Sequence, residues 1–594
     1  MADFDRRQFL VGLAATTLTP YLLTGSRNAQ ASATQWQGAS YVESRLDTSN
    51  LSVDQGRVFE LSVASGDPVP TGVILWTRVR PDLVVAEQSL FFQVALDGEF
   101  QQLVSEGEVL PEDLNERSDY TVKVDLEGQL SPGQRYYYRF IYGNTASRTG
   151  RCRTAPAEHA SPDRLKFAVL TCQDYTNGYY GALDHVADDD SIDFVLHLGD
   201  FIYESVGDPR FQDLPFEDRL IILPSGNTVA FDLADYRHLY RIYRSDRSLQ
   251  RAMEQHTWII TTDDHETCND AYWDYEQDTL GCPDHPFMTD ASYANNLDLR
   301  RQLKLDSQRA WAEYVPARIQ FNESATHPFE FSRIYRDFRF GDLVNLYMLD
   351  TRTYRTPHPC GEDDVLERYV PIGCDNFGNP NQSMLGDAQR EWLLNRTHLS
   401  TTRWNVLGNQ TFMGRLGLDL GEDVKLPFNV DAWDGYTAER QLLLNEFQSN
   451  GVDNLVVLTG DLHSYIAAQV KKDYSDLAFW NFDNHRGAEF MTPSLTSAGL
   501  ADQLPEQTPD NKVNNALVDA LSSSAVRVTN PHIRFFNSRL HGYSTVEFRD
   551  SYCEWVAYAV SKDTPDQLPA REAIARFRKY EALPFLVRKT TDGY

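Results

Sequence analysis

Basic side chains are scarce in this 594-residue chain: 55 Lys and Arg stand against 86 Asp and Glu, a formal net charge of −31. That deficit excludes a nucleic acid or an anionic membrane as a partner held by surface charge, because both would be repelled. It suits a protein working in salt, where the repulsion is screened. Cysteine is also rare, with seven residues, an odd number. A disulfide-built scaffold is therefore excluded. No stretch stays apolar over the roughly 20 residues that a membrane-crossing helix needs. There is no internal repeat and no low-complexity tract. Aromatic residues, by contrast, reach 12% and hydrophobic residues 41%. A chain of this composition buries a large core and is not disordered throughout.

The first residues carry an address. Arg6-Arg7 precedes Phe9-Leu10, a mildly apolar run spans 10–23, and Ala29-Gln30-Ala31 comes next as a small-x-small cleavage pattern. Residues 1–33 read as a twin-arginine signal peptide, and 34–56 as a linker. The expected partner is the twin-arginine export machinery. The expected location is periplasmic or secreted, with no transmembrane segment in the mature form. Disulfides are permitted there, so Cys268/Cys282 and Cys360/Cys374 are both candidate pairs.

Residues 57–155 read as short strands separated by turn signals such as Gly66-Asp67-Pro68 and Ser131-Pro132-Gly133, which predicts a small N-terminal β-sandwich. From Leu165 the texture changes to α/β. Apolar strands alternate with helix-like segments at 235–254, 299–314 and 387–399. Residues 164–556 form the expected large domain. Residues 557–594, with a helix-like stretch at 570–583, read as a C-terminal helical tail that caps the pocket.

Each apolar strand ends in groups able to bind metal, where α/β folds gather their ligands. Leu165–Leu170 ends in Thr171-Cys172, and Phe194–Leu198 in Gly199-Asp200-Phe201-Ile202-Tyr203. Trp258–Thr262 ends in Asp263-Asp264-His265-Glu266, Leu343–Leu349 in Asp350, Trp404–Leu407 in Gly408-Asn409, and Leu455–Thr459 in Gly460-Asp461-Leu462-His463. A carboxylate beside a phenol calls for a hard, acidic metal such as Fe(III). The three acids and His of 263–266 repel one another unless a cation is present and cannot all pack as a core. One Asp there ligates metal while His265 faces substrate as a general acid. Asp461 and His463, two apart, reach two adjacent ions. Together these groups describe a two-metal centre, which generates a hydroxide nucleophile and clamps an anionic transition state.

These motifs resemble the PhoD-type alkaline phosphatase and phosphodiesterase family, within the metallophosphoesterases that include purple acid phosphatases. The resemblance runs from about residue 57 to 556. It includes Val63-Ala64-Ser65-Gly66-Asp67-Pro68, Leu75-Trp76-Thr77-Arg78, Tyr136–Phe140, Arg153–Pro156, Gly199–Glu204, Asp235-Tyr236-Arg237, Asp263–Glu266, Leu349–Arg352 and Gly460–Ser464. It implies that Cys172, Asp200, Tyr203 and His463 hold Fe(III). It implies Ca²⁺ on Asp200, Asp264, Asn409 and Asp461, an oxygen-rich set suited to that ion. Gln410 is an alternative to Asn409. His265 would protonate the leaving alkoxide. Arg352 is either a phosphate clamp or a structural ion pair, and Asp350 its partner or a further ligand. Purple acid phosphatases carry Asp, Asn and His where this chain has Cys172, Asp264 and Asn409, which favours calcium over a second transition metal. The implied fold is a four-layer αββα core with an N-terminal fibronectin- or Ig-like sandwich. The implied function is hydrolysis of small-molecule or lipid phosphate esters by metal-activated hydroxide. A phospholipase-D-like diester hydrolase and a non-catalytic extracellular binding protein are the alternatives, and the intact ligand set argues against the latter.

Overall fold

In a computed structural model, the chain is described over residues 35–591 except 37–40, 208–215, 294–295, 363–367, 369–373, 375, 420–424, 477–480, 500–525, 566–567 and the single positions 45, 47, 49 and 55. The expected signal peptide lies outside the described residues. Among the described residues no helix is long and apolar enough to cross a membrane.

Strands such as Leu165–Leu170, Phe194–His197 and Leu455–Thr459 are apolar almost without a break and buried on both faces, as parallel strands covered on both sides must be. The described strands form three large sheets, of ten, seven and seven strands, and three two-stranded pairs. At the centre of the ten-stranded sheet, Leu165–Leu170, Phe194–His197 and Thr257–Ile260 run parallel. In one seven-stranded sheet, Val344–Met348, Trp404–Gly408 and Leu455–Thr459 do the same.

Alternate residues of these strands face opposite ways. Phe167, Phe194 and Leu196 of the first sheet pack against Phe340, Leu346, Val406 and Val456 of the second. The Phe167 and Phe194 rings lie 5.4 and 5.0 Å from Phe340. Leu170, Val195 and Ile260 point outward and share a cluster with helices Gly181–Asp188, Leu233–Arg244 and Leu297–Tyr314. Tyr347, Leu407 and Val457 do the same with helices Gly386–His398 and Thr437–Ser449. The carboxyl ends of the parallel strands in the two facing sheets carry all of the strand-end motifs.

Three expectations change. The strands of 57–155 do not stand apart as their own sandwich. Val63–Val69 pairs in parallel with Thr257–Ile260, and Gly72–Arg78 and Thr121–Asp125 extend the same sheet. The other layer, with Leu90–Ala95 and Arg135–Tyr142, covers these strands through Val73, Leu75 and Val122 against Phe92, Val94 and Phe140. The join is tight. The Trp76 indole N–H donates to the Glu313 carbonyl at 2.8 Å, and the Arg244 guanidinium lies 3.6 Å over the Trp76 ring.

The helix-like run at 235–254 is two helices, Leu233–Arg244 and Arg247–Gln255. The break falls where the Asp246 side chain accepts the N–H groups of Ser248 and Leu249 as a cap. The expected C-terminal helical tail is instead strand Arg571–Tyr580, antiparallel to Tyr552–Val560 and to Leu586–Arg588. Its Arg, Glu and Ala residues favour helix, but Ala575, Phe577 and Lys579 turn inward at every second position. Sheet packing overrides the local preference.

Candidate metal centre

The backbone turns sharply at the strand ends. Cys172, Asp200, Asp461 and His463 all sit at positive φ, at 55, 56, 68 and 49°. Non-glycine residues accept that conformation at a cost, and such strain gathers at functional sites. Gly199, at φ 107°, has no such choice: a Cβ there would come within 2.4 Å of the Asp263 backbone nitrogen.

These turns bring three sets of donors together, each within 4.8 Å: Cys172, Asp200 and His463; Asp200, Asp264 and His265; Asp263, Asp264 and Asp461. Tyr203 joins the first set. Its hydroxyl lies 3.2 Å from Asp200 Oδ2 and 3.3 Å from His463 Nε2. His463 Nδ1 donates to the Ala498 carbonyl at 2.6 Å, which turns Nε2 toward the other donors and frees it to bind a cation. Burial holds His463 near a value of about 4, so the ring is neutral. Burial, then Asp200, pushes the Cys172 thiol well up, against the Thr171 hydroxyl 3.0 Å away.

The carboxylates are overcrowded. Burial and neighbouring acids push Asp200 and Asp461 well above the carboxylate range despite His265 and Arg352 respectively, and Asp263 up to about 7 despite Arg352. Asp263 Oδ2 is buried without a hydrogen-bond partner. A buried cluster of this kind either takes up protons or binds cations. Its donors, with a thiol, a phenol and a neutral imidazole on one side and carboxylates on the other, fit one soft-tolerant and one hard oxygen-seeking metal.

His265 Nδ1 donates to Glu204 Oε2 at 2.7 Å, and its ring lies 4.1 Å from the Tyr203 ring. Burial opposes a charge on His265, yet Glu204, Asp200 and Asp264 outweigh it and hold the imidazole well above its ordinary value. The Glu204 contact fixes the ring in one orientation. Glu266 holds the loops rather than a metal. Its Oε2 accepts the N–H groups of Asp200 and Asp263 at 3.1 and 2.7 Å, and its Oε1 that of Phe201 at 2.7 Å. All four residues of 263–266 are buried; backbone N–H groups meet Glu266, Arg352 meets Asp263 and Asp264, and the remaining repulsion among the acids is what a cation would relieve.

Arg352 is itself buried, with its guanidinium 2.5 Å from Asp263, 3.5 Å from Asp264, 2.6 Å from Asp431 and 2.7 Å from Asp461. It reaches two expected calcium ligands and is the fixed positive charge of the cluster. Asp350 is not its charge partner. The Asp350 carboxylate accepts the N–H groups of Arg352 and Thr353 and so closes its own turn. Asn409 Oδ1 accepts from the Trp433 indole at 3.2 Å and retains a second lone pair. Gln410 drops out as the alternative. Its amide is spent on Thr351, Thr261 and the Leu349 carbonyl. Cys360 and Cys374 form a disulfide, whereas Cys268 and Cys282 are thiols.

The sequence alone assigns no individual role to Glu204, Asp263, Glu266, Asp431, Ser497 or Ala498. Glu204, Asp263 and Glu266 stand inside the strand-end motifs, so proximity is their signal. Asp431, Ser497 and Ala498 carry no motif, and only the fold brings them in.

Residues 167–555 match the family model described as PhoD-like phosphatase, and residues 47–156 that of the PhoD-like phosphatase N-terminal domain. Alkaline phosphatase D of Bacillus subtilis (strain 168) is 30% identical over 553 residues, covering 90% of this chain and 81% of that protein. A solved structure of PhoD superposes with a TM-score of 0.73 at 28% identity, covering 91% of this chain and 94% of that one.

Proposed function

From the premise that this chain belongs to the PhoD-like phosphatase family and is a phosphoric ester hydrolase, we propose that it is an exported alkaline phosphatase and phosphodiesterase with an Fe(III)–Ca²⁺ centre. The observation that carries this reading is the junction of two donor sets at Asp200, one with Cys172 and His463, the other with Asp264 and His265. Cys172, Asp200, Tyr203 and His463 would hold iron, and Asp200, Asp264, Asn409 and Asp461 calcium, with Asp263 beside them. Bound there, the two cations would lower the pKa of a water and neutralise charge on the phosphoryl oxygens.

The chain's own residues do the rest. Asp200 offers an oxygen to each side. His265 donates its Nε2 proton to the departing alkoxide, and Glu204 keeps Nδ1–H bonded and the ring in place. Arg352 adds positive charge next to Asp461, where an anionic ester meets a chain that is otherwise strongly acidic. The four-layer αββα arrangement, supported by the three apolar clusters on and between the two sheets, aims both sets of strand ends at one spot. Export by the twin-arginine machinery rests on Arg6-Arg7, the apolar run at 10–23 and Ala29-Gln30-Ala31.

A visible ligand-to-metal band from Tyr203 and Cys172 tests the iron assignment, and a colourless, iron-free, active enzyme would refute it. Calcium chelation should remove activity and Ca²⁺ restore it. Restoration by Zn²⁺ alone would contradict the second site.

A further inference from the structure

The turn at 269–270 lies one step behind the site. The Asn269 N–H donates to Glu204 Oε1 at 2.8 Å, and Glu204 Oε2 holds His265 Nδ1. The next N–H, that of Asp270, donates to Asp264 Oδ2 at 2.7 Å. Two successive backbone donors therefore brace the partner of His265 and a carboxylate of the metal cluster. Asp270 sits at φ 53°, which a non-glycine residue keeps only where its surroundings hold it there.

The side chains of this turn meet one ion pair. Asn269 Nδ2 donates to Asp284 Oδ2 at 2.6 Å, and Arg368 Nη1 donates to Asp270 Oδ2. Arg368 and Asp284 close the ring with two bonds, Nη1 to Oδ2 at 3.1 Å and Nη2 to Oδ1 at 3.0 Å. Asn269, Asp270 and Arg368 are buried. Charged hydrogen bonds are strong there, and an unmatched charge is costly.

We propose that Asp284 is a positioning residue: through Asn269 and Glu204 it sets the orientation of His265 for proton transfer. This role rests on the reading of His265 as the acid under Proposed function. The supply of acceptors sets it. The Asp284 carboxylate has lone pairs for two Arg368 N–H groups and the Asn269 amide together. In Asp284→Asn one of its oxygens becomes an NH₂ group, which only donates. In place of Oδ2 that group faces Asn269 and Arg368; in place of Oδ1 it faces Arg368. All of these are donors too. The turn is then released on one side, and the Asn269 N–H no longer braces Glu204.

The test compares kcat/KM for p-nitrophenyl phosphate and ethyl phosphate in purified wild type, Asp284→Asn and Asn269→Ala, with His265→Asn as the reference. p-Nitrophenolate leaves without a proton, whereas ethoxide needs one. A general acid supplies about 10²–10⁴-fold, so a misplaced one should slow the ethyl ester about tenfold more than the nitrophenyl ester. Loss of metal slows both esters and leaves their ratio unchanged. Asn269→Ala removes the amide that reaches Asp284 and should move the ratio the same way; it carries the test if Asp284→Asn does not fold. A folded variant of either kind with the wild-type ratio overturns the proposal. A His265→Asn enzyme with the wild-type ratio refutes instead the reading of His265 as the acid.

Discussion

Glu266 is the most informative residue to perturb, because its role rests on three hydrogen bonds. Its carboxylate ties the backbone of Asp200, Phe201 and Asp263, joining two loops that carry ligands. In Glu266→Gln the amide oxygen keeps the two N–H groups at the Oε2 position, and the Phe201 N–H then faces an NH₂ group. One buried donor without a partner costs about 1–3 kcal/mol. Glu266→Ala strands all three, about 3–9 kcal/mol on the same scale, against a total stability of about 5–15 kcal/mol for ordinary proteins. The Gln variant should fold with reduced stability and weakened metal retention. The Ala variant should be close to unfolding. Burial pushes Glu266 up to about 7, so urea denaturation belongs at a pH above 8, where the wild-type carboxylate is charged. A Glu266→Ala protein within about 0.5 kcal/mol of wild type, the range of an ordinary surface change, would show that the three bonds do not hold the loops.

The same geometry sets other expected outcomes. Glu204→Gln should slow esters with poor alkyl leaving groups far more than p-nitrophenyl phosphate, whose leaving group needs no proton; equal slowing of both would contradict the role of His265 as an oriented acid. Burial lowers His197, His256 and His532 to about 3, 4 and 3. Their folded values lie below the unfolded one, so the unfolded chain takes up protons first. The stability they support is present above about pH 6.5 and is lost as pH falls toward 4, by up to about 4 kcal/mol per pH unit for three protons; a flat acid limb in calorimetry would refute this. Phe167→Ala, at the seam between the two sheets, should cost about 3–5 kcal/mol in urea denaturation, and a loss under 1 kcal/mol would mean that the seam does not set stability.

Much of the site is legible in the sequence because parallel strands announce themselves as unbroken apolar runs, and the residues just past such a run lie at one edge of a sheet. Cys172, Asp200, Asp264, Asp461 and His463 stand out on that ground. Arg571–Tyr580 reads as helix because its Arg, Glu and Ala residues favour helix; only pairing with Tyr552–Val560 fixes its conformation. The pairing across the boundary near residue 155 is not legible because strand order in a sheet is not written in chain order. Val63–Val69 sits beside Thr257–Ile260, nearly two hundred positions away. The role of Glu266 is hidden because sequence shows its charge but not the three backbone N–H groups that it accepts. Ser497 and Ala498 are invisible because nothing but tertiary packing relates them to Cys172 and His463.

The junction of the two donor sets at Asp200 is tested most directly by measuring iron and calcium content together with hydrolysis of p-nitrophenyl phosphate and bis-p-nitrophenyl phosphate in wild type and Asp200→Asn. Loss of both ester activities with depletion of at least one metal is the predicted result. Wild-type activity in Asp200→Asn would contradict it.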